Sequence, residues 1–195
     1  LLDRFRAVRT AASLEQSIRG QAEDQRFSVR PERREQIEQI EREFTEAVES
    51  LKRSKIGKGQ RGRAALYALP WYVVVGPPAV GKTTAINESG LDFPLGANRV
   101  RGIGGTRNCD WFFSSDAILL DTAGRYVTVE EDRDEWLKFL DLLRIHRRRA
   151  PVNGVIVMVS IHELLQMSAE QLDDAATEMR QRINELIERL GVRFP

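Results

Sequence analysis

The chain has 195 residues, of which 42% are hydrophobic and 30% are charged, and its formal net charge is +1. This composition supports a packed core and excludes a chain that is disordered throughout, and the balanced charge gives no case for a nucleic-acid partner. The one cysteine, Cys109, excludes an internal disulfide framework, which is typical of a reducing compartment, and we expect its thiol to pack as a small core side chain.

The N-terminal residues 1–56 are predicted to be helical and charged. Pro31 suits the first turn of a helix, and five apolar residues follow it at spacings of three and four, which gives this helix one apolar face. Two interpretations stay open: a helix that packs on the next domain, and an arm that couples that domain to other parts of the protein. A weaker helix is predicted within residues 2–18. The five apolar residues of the stronger helix are Ile37, Ile40, Phe44, Val48 and Leu51.

A basic, glycine-rich stretch separates the two predicted regions, with the linker itself at residues 57–65. The run 52–63 contains six cations, three glycines and no acid. We favour a flexible, solvated linker, and the alternative is a segment that binds acidic lipid or nucleic acid. Gly57, Gly59 and Gly62 match the spacing of a dinucleotide-binding fingerprint, but no strand precedes them, so we reject that function.

Residues 66–195 alternate strand-like and helical patterns, which predicts an α/β domain with a mostly parallel sheet. Strands are predicted at 72–75, 109–113, 117–120 and 155–159, the last of them buried. Only three residues separate the second strand from the third, so these two must form an antiparallel hairpin.

Three helices are predicted in this domain. The first covers residues 82–89, and the second carries Trp136, Phe139, Leu140 and Leu143 on one face and ends at Pro151. Ser168 and Gln171 form a capping box at the start of the third helix, and Gly191 is its expected C-terminal stop. The buried stripe of the third helix is Leu172, Ala176, Met179, Ile183, Leu186 and Leu190, and residues 192–195 resemble the approach to a further strand.

The segment GPPAVGKT, residues 76–83, fits the phosphate-binding loop pattern G-x-x-x-x-G-K-[ST] and lies between a predicted strand and a predicted helix. Its main-chain amides and the positive end of the helix dipole would surround a phosphate. Lys82 would contact the outer phosphates of ATP or GTP, and the Thr83 hydroxyl would complete the ligand shell of Mg²⁺. The predicted nucleotide-binding residues are Gly76, Ala79, Val80, Gly81, Lys82, Thr83, Thr84 and Gly124.

A second motif, DTAG at residues 121–124, follows a predicted apolar strand. That strand places the Asp121 carboxylate at the edge of the sheet where ligands bind in open α/β folds, and the carboxylate would hold Mg²⁺ through Thr83 or through a water molecule. Gly124 would offer its main-chain N–H to the terminal phosphate. Because the two motifs occur in the order that one fold requires, together they are more specific than either alone.

The loop 90–108 carries five glycines, and loops of this length are typically functional or disordered. Thr106 is placed to reach Mg²⁺ and the γ-phosphate, which would order the loop in the triphosphate state; an ordinary surface threonine is the alternative. Arg125 stands where many GTPases have a water-orienting glutamine, so we expect slow or partner-dependent hydrolysis. A surface salt bridge explains Arg125 and Arg107 as well as a catalytic role does. The catalytic assignment is Lys82, Thr106 and Arg125, and the metal assignment is Thr83, Thr106 and Asp121.

Five segments, LPWYVVVGPPAVGKTTAI, SGLDFPL, GGTRNCDWFF, AILLDTAGRY and RRRAPVNGVIVMVS, resemble the NTPase-like domain of the TssM/IcmF-like family of type VI secretion components. The resemblance implies anchoring in the bacterial inner membrane with this domain on the cytoplasmic side. It also implies TssL-like, TssJ-like and baseplate partners within an oligomeric complex. No apolar run approaches the roughly 20 residues that cross a bilayer, so a membrane span would lie outside this chain.

We therefore expect a Ras-like P-loop NTPase fold, mostly parallel with one antiparallel strand and preceded by the helical region. The leading hypothesis is a nucleotide-dependent conformational element with weak NTPase activity. A scaffold domain with dispensable nucleotide binding is the first alternative, and a nucleoside or small-molecule kinase is the second. The DTAG motif and the glycine loop argue against the kinase, because they suit sensing a γ-phosphate rather than binding an acceptor. The choice between ATP and GTP stays open.

Overall fold

A computed structural model describes residues 31–54, 60, 62–94 and 108–193 of the chain. The chain divides into two compact units, residues 1–38 and residues 39–195. The weak helix expected within residues 2–18, much of the basic linker and most of the glycine loop lie outside the described residues. The predicted domain boundaries therefore stay a prediction.

Within the described residues, four strands form one sheet in the order β2-β3-β1-β4. β1 pairs in parallel with both β3 and β4, whereas β2 is antiparallel to β3. Ser114 closes the hairpin between β2 and β3, because its buried hydroxyl accepts the N–H of Ala117 at 2.8 Å. The predicted α/β sheet with one antiparallel strand is confirmed. The strands are β1 (Trp71–Val75), β2 (Cys109–Phe113), β3 (Ile118–Thr122) and β4 (Gly154–Val157).

Six α-helices accompany the sheet in the described part of the chain, with 3₁₀ turns at Gly62–Tyr67 and Glu130–Asp132. None of the described helices combines the length and apolar character that crossing a membrane requires. The helices are α1 (Pro31–Arg53), α2 (Lys82–Asn87), α3 (Arg125–Thr128), α4 (Arg133–His146), α5 (Ile161–Leu164) and α6 (Ala169–Leu190).

Aromatic rings join α1 and α4 to the sheet. The ring of Phe44 meets Trp111 edge-on at 5.0 Å and Phe139 at 5.9 Å, and Trp111 meets Trp71 edge-on at 5.1 Å. Such edge-to-face pairs add to the stability that burial of apolar area provides. The predicted apolar face of α1 is buried from Ile40 onward, and Cys109 packs against the same core, as expected for its small side chain.

Two predictions for this domain are wrong: the position at which α4 ends and the complete burial of the fourth strand. α4 ends at His146 and not at Pro151, because Arg147 leaves helical geometry and buries its guanidinium 4.5 Å from the Trp71 ring. The fourth strand is not buried throughout. Ile156 is 40% exposed and Val157 is 44% exposed, because β4 is the last strand of the described sheet.

The closing helix α6 confirms its predicted ends and corrects its predicted stripe. Ser168 and Gln171 form the capping box, and Gly191 ends the helix with a left-handed φ of 63°. Leu186 and Leu190 are buried, but Leu172 is 38% exposed. The exposed first half of α6 lines an apolar groove instead of packing into the core.

The capping box gives a stability prediction. Replacing Ser168 with alanine is expected to lower the free energy of unfolding by about 1 kcal/mol. The Ser168 hydroxyl accepts the Gln171 N–H at 3.2 Å, and this main-chain donor has no other partner within the helix. Urea unfolding followed by circular dichroism measures the change. Ser115→Ala, in the turn between β2 and β3, is the matched control, and an equal loss in both variants would contradict a specific capping effect.

Candidate functional site

The loop that follows β1 has the curled backbone that an anion-binding loop requires. Ala79 and Gly81 both adopt left-handed φ values, 59° and 88°, on either side of Val80. Gly76 lies so close to the chain after β4 that a Cβ there would stand 2.4 Å from the carbonyl oxygen of Met158. Left-handed residues within such a turn direct successive N–H groups toward one side and form a concave anion site.

Lys82 is buried at the first turn of α2, and its ammonium group faces the first half of the loop. Its Nζ donates to the carbonyl oxygen of Gly76 at 2.8 Å and to that of Pro77 at 3.0 Å. Burial lowers the pKa of Lys82, and the negative charge of Asp121 partly offsets this effect. The loop therefore holds a lysine charge against its own main chain, beside the space where phosphates are predicted to bind.

Thr83 and Asp121 come together from α2 and from the C-terminal part of β3. The Thr83 hydroxyl donates to Oδ2 of Asp121 at 2.5 Å, and Asp121 is fully buried. A hydroxyl and a carboxylate are ligand types that Mg²⁺ accepts, and this ion usually takes its remaining ligands from water and from substrate phosphates. In the described part of the chain no group of three or more His, Cys, Asp or Glu side chains could hold a metal ion. The pair offers ligand types that suit a Mg²⁺ ion arriving with phosphate.

Gly124 brings the second motif against the loop that follows β1. A Cβ at this position would stand 2.3 Å from the main-chain nitrogen of Pro78 and 2.6 Å from the carbonyl carbon of Pro77. The φ of Gly124 is −62°, so an ordinary helical conformation suffices and the close approach alone requires glycine. The segment 121–124 and the loop thus form one packed unit. The predicted contact between the Gly124 N–H and a phosphate stays a prediction.

Arg125 lines the same space, and its guanidinium is bound by two carboxylates. It forms ion pairs with Asp132 at 2.7 Å and with Glu135, and it donates to Oδ1 of Asn108 at 3.0 Å. Burial alone would lower the pKa of Arg125, but the hydrogen bonds to Glu135 and Asp132 outweigh it and raise the pKa. The salt-bridge interpretation therefore describes Arg125 as it stands, and a catalytic role would require it to leave these partners.

Asn108 is a residue of this site that sequence reasoning missed. Its side-chain amide donates to Oε2 of Glu43 on α1 at 2.9 Å, and its main-chain carbonyl accepts the N–H of Ala123 at 2.9 Å. Together with the bond from Arg125, these contacts link α1 and the start of β2 to the segment that follows β3. The sequence gives no signal for this role, because asparagine is common in turns and its presence before a strand does not indicate a contact.

The predicted residues converge on one cavity of about 440 Å³. Two predicted residues within the described part of the chain are not among those that line the cavity. Asp121 is buried and accepts a hydrogen bond from the lining residue Thr83, and Gly76 is the first residue of the loop. Thr106 and Arg107 lie outside the described residues, so their predicted contacts stay predictions. The lining residues are Pro78, Ala79, Val80, Gly81, Lys82, Thr83, Thr84, Ala123, Gly124 and Arg125.

Comparison with known proteins finds similarity to one protein family and to one type VI secretion component. Residues 129–195 match the family model of the IcmF-related N-terminal domain, a match that begins after the candidate site. The chain is 51% identical to a Pseudomonas aeruginosa protein described as type VI secretion system component TssM1, and the match covers 74% of this chain and 14% of that protein. The chain thus spans a small part of the length of this relative. No solved structure matches the chain.

Proposed function

Because the chain is a TssM/IcmF-like fragment related to type VI secretion components, we propose that it binds a nucleoside triphosphate with Mg²⁺ and acts as a conformational element of a secretion complex. Hydrolysis of ATP or GTP would be weak or stimulated by a partner. The proposed setting is the cytoplasmic side of the bacterial inner membrane, with TssL-like, TssJ-like and baseplate proteins as partners outside this chain.

One observation carries this proposal: a curled loop, a buried lysine and a Thr83–Asp121 pair meet at the carboxyl ends of β1 and β3. In open α/β sheets, ligands bind at this edge, next to the point where neighbouring strands lead to opposite sides of the sheet. β1 is at such a point, because β3 lies on one side of it and β4 on the other. The cavity volume of about 440 Å³ falls within the range of small-molecule sites.

The same arrangement supports a Ras-like P-loop NTPase fold. The strand that carries the phosphate loop is central, the strand that ends in Asp121 lies beside it, and the antiparallel strand β2 occupies the outer position. Lys82 would stabilise charge on the outer phosphates, and Thr83 with Asp121 would orient the Mg²⁺ that such phosphates carry.

Slow hydrolysis follows from what surrounds the predicted terminal phosphate. Arg125, the residue after Gly124, is paired with Asp132 and Glu135, and a guanidinium has no acceptor with which to orient a water molecule. A switching role follows from the contacts of Gly124 and Asn108. A shift of the segment 121–124 would press on Pro78, and through Asn108 it would reach the end of the glycine loop and α1.

Binding of ATP and of GTP, measured by calorimetry with Mg²⁺ and with EDTA, tests the proposal directly. Replacing Thr83 with valine keeps the shape of the side chain and removes the hydroxyl. We expect this variant to lose about 10-fold in affinity with Mg²⁺, roughly the value of one hydrogen bond to a charged group, and to bind unchanged in EDTA. Thr45→Val is the matched control, because Thr45 is an exposed threonine of α1 that does not line the cavity. If both variants behave alike in the two conditions, Thr83 is not a metal ligand.

The alternative function is a scaffold domain in which nucleotide binding is dispensable. The ion pairs of Arg125 with Asp132 and Glu135 favour it, because they give this side chain a structural role beside the candidate site. A secretion assay in cells that carry Lys82 and Asp121 variants of the full-length protein separates the two functions. Normal secretion by variants that have lost nucleotide binding would establish the scaffold and remove the switch.

A further inference from the structure

A second cavity, of about 400 Å³, lies near the start of β1, at the edge of the sheet opposite the phosphate loop. We call it the basic cavity. Its lining comes from two separate segments, the 3₁₀ turn Gly62–Tyr67 and the end of α4 with the residues that follow it. The cationic lining side chains are Arg63, Arg148 and Arg149, and the large apolar ones are Tyr67 and Ile145; His146 also lines the cavity, and burial lowers its pKa.

The arginines of the basic cavity are not paired with carboxylates of the described part of the chain. No carboxylate is among the lining residues, and Arg63, Arg148 and Arg149 form no ion pair with a described residue. Other arginines of this domain differ: Arg182 and Arg189, for example, each pair with a carboxylate. The cavity therefore offers an electrostatic complement to an anion.

The preference for cations near the C-terminus of α4 explains only part of this group of arginines. Cations are favoured near the negative end of a helix, which accounts for Arg148 and Arg149. It does not account for Arg63, which arrives from a different segment, nor for the space enclosed between them. Arg147 shows what a structural arginine looks like here: it is buried, and it donates to Pro151 O at 3.2 Å and to Asn153 Oδ1 at 3.3 Å. Burial lowers the pKa of Arg147 to about 10.

Exposed apolar side chains beside the arginines indicate what kind of anion the basic cavity would bind. Ile145 is 58% exposed and Tyr67 is 40% exposed, and both border the arginines. A soluble phosphate gains nothing from an exposed isoleucine, whereas a membrane surface presents phosphates directly above an apolar layer. Aromatic rings and arginines are the side chains that suit this boundary. In the sequence, Arg63 is the last residue of the run 52–63, which contains six cations.

We propose that the basic cavity binds the phosphate of an anionic phospholipid headgroup, with Ile145 and Tyr67 entering the headgroup layer. Arg148, Arg149 and Arg63 contact the phosphate oxygens. This surface would hold the domain against a membrane by the side that faces away from the phosphate loop, and it does not depend on the proposed nucleotide binding.

Vesicle co-sedimentation tests the proposal on the chain of 195 residues. Vesicles of phosphatidylglycerol and phosphatidylcholine in equal parts should bind the chain, and vesicles of phosphatidylcholine alone should not. R148S/R149S is expected to weaken partitioning on the order of 10- to 30-fold, because each basic residue at an anionic surface contributes about 1 kcal/mol. R180S/R193S removes the same charge from exposed positions elsewhere and should change partitioning by less than about 3-fold.

Further variants identify the source of the phosphate and protect against a folding artefact. Ile145→Ser should weaken vesicle binding several-fold, and Arg63→Ser should do so from the other segment, while thermal unfolding remains as in the original chain. Equal losses in R148S/R149S and R180S/R193S would overturn the proposal, because only total charge would then matter. It would equally be overturned if inorganic phosphate saturated the cavity and the chain left anionic vesicles unbound.

Discussion

Replacing Lys82 with alanine is expected to weaken the binding of Mg²⁺-ATP or Mg²⁺-GTP by about 100-fold, or roughly 3 kcal/mol, the upper value for a hydrogen bond to a charged group. The ammonium group is the one cation that the described structure buries at the start of α2 beside the loop. Its loss leaves the charge of the outer phosphates without a direct counter-charge from the protein. Isothermal titration calorimetry at a fixed concentration of free Mg²⁺ measures the change.

Lys138→Ala is the control for this experiment. Lys138 is a lysine of α4 that pairs with Glu41 on α1 at 3.0 Å, away from the loop, so its removal should leave nucleotide affinity unchanged. The Lys82→Ala variant is expected to fold. Burying a charged ammonium group is costly even where two carbonyl oxygens accept its protons, and the substitution removes this cost. Unchanged affinity in a folded Lys82→Ala chain would remove the nucleotide assignment altogether.

Replacing Gly124 with alanine is expected to lower the free energy of unfolding by about 3 kcal/mol, the upper end for added volume in a packed region. The new methyl group would overlap the main chain at Pro78, at 2.3 Å from its nitrogen and 2.5 Å from its Cα. Neither atom is the end of a flexible side chain, so the loop itself must move. Because that loop forms the predicted phosphate site, nucleotide affinity should fall with stability, on the order of 10-fold or more.

Gly191→Ala separates a steric effect at Gly124 from the general cost of removing a glycine. Gly191 has a φ of 63°, and a Cβ there would meet nothing within 4 Å. Its replacement should cost about 1 kcal/mol through backbone strain alone and should leave binding intact. If Gly124→Ala costs no more than Gly191→Ala and binds nucleotide normally, the two motifs are not packed together as described.

Local sequence patterns predicted the parts of the fold that depend on neighbouring residues. The short connection after Phe113 forced the hairpin, and the Ser168–Gln171 pair together with Gly191 predicted both ends of α6. These features depend on residues within a few positions of one another, so they can be predicted from the local sequence alone. The meeting of Thr83 and Asp121 joins distant positions, but it was predicted because α2 follows β1 and Asp121 lies in the C-terminal part of β3, at the same edge of the sheet.

Contacts between distant segments could not be predicted in this way. The buried guanidinium of Arg147 on Trp71 ends α4 early, and nothing next to Arg147 indicates that contact. The bonds of Asn108 to Glu43 and of Arg125 to Asp132 and Glu135 likewise depend on how helices pack on the sheet. The exposed half of α6 shows the limit of periodicity, because an apolar stripe predicts a buried face without saying what covers it.

Ala79 has a consequence for how tightly the phosphate loop can hold a ligand. A left-handed φ of 59° costs an alanine about 1 kcal/mol more than it costs a glycine, and the two prolines before it each fix one backbone angle. The two prolines reduce the number of conformations open to the first half of the loop. Little conformational entropy is then left to lose when an anion is bound, so a larger share of the contact energy can appear as affinity. Under the proposed function, the loop would therefore be a preorganised anion site and not a segment that orders around its ligand.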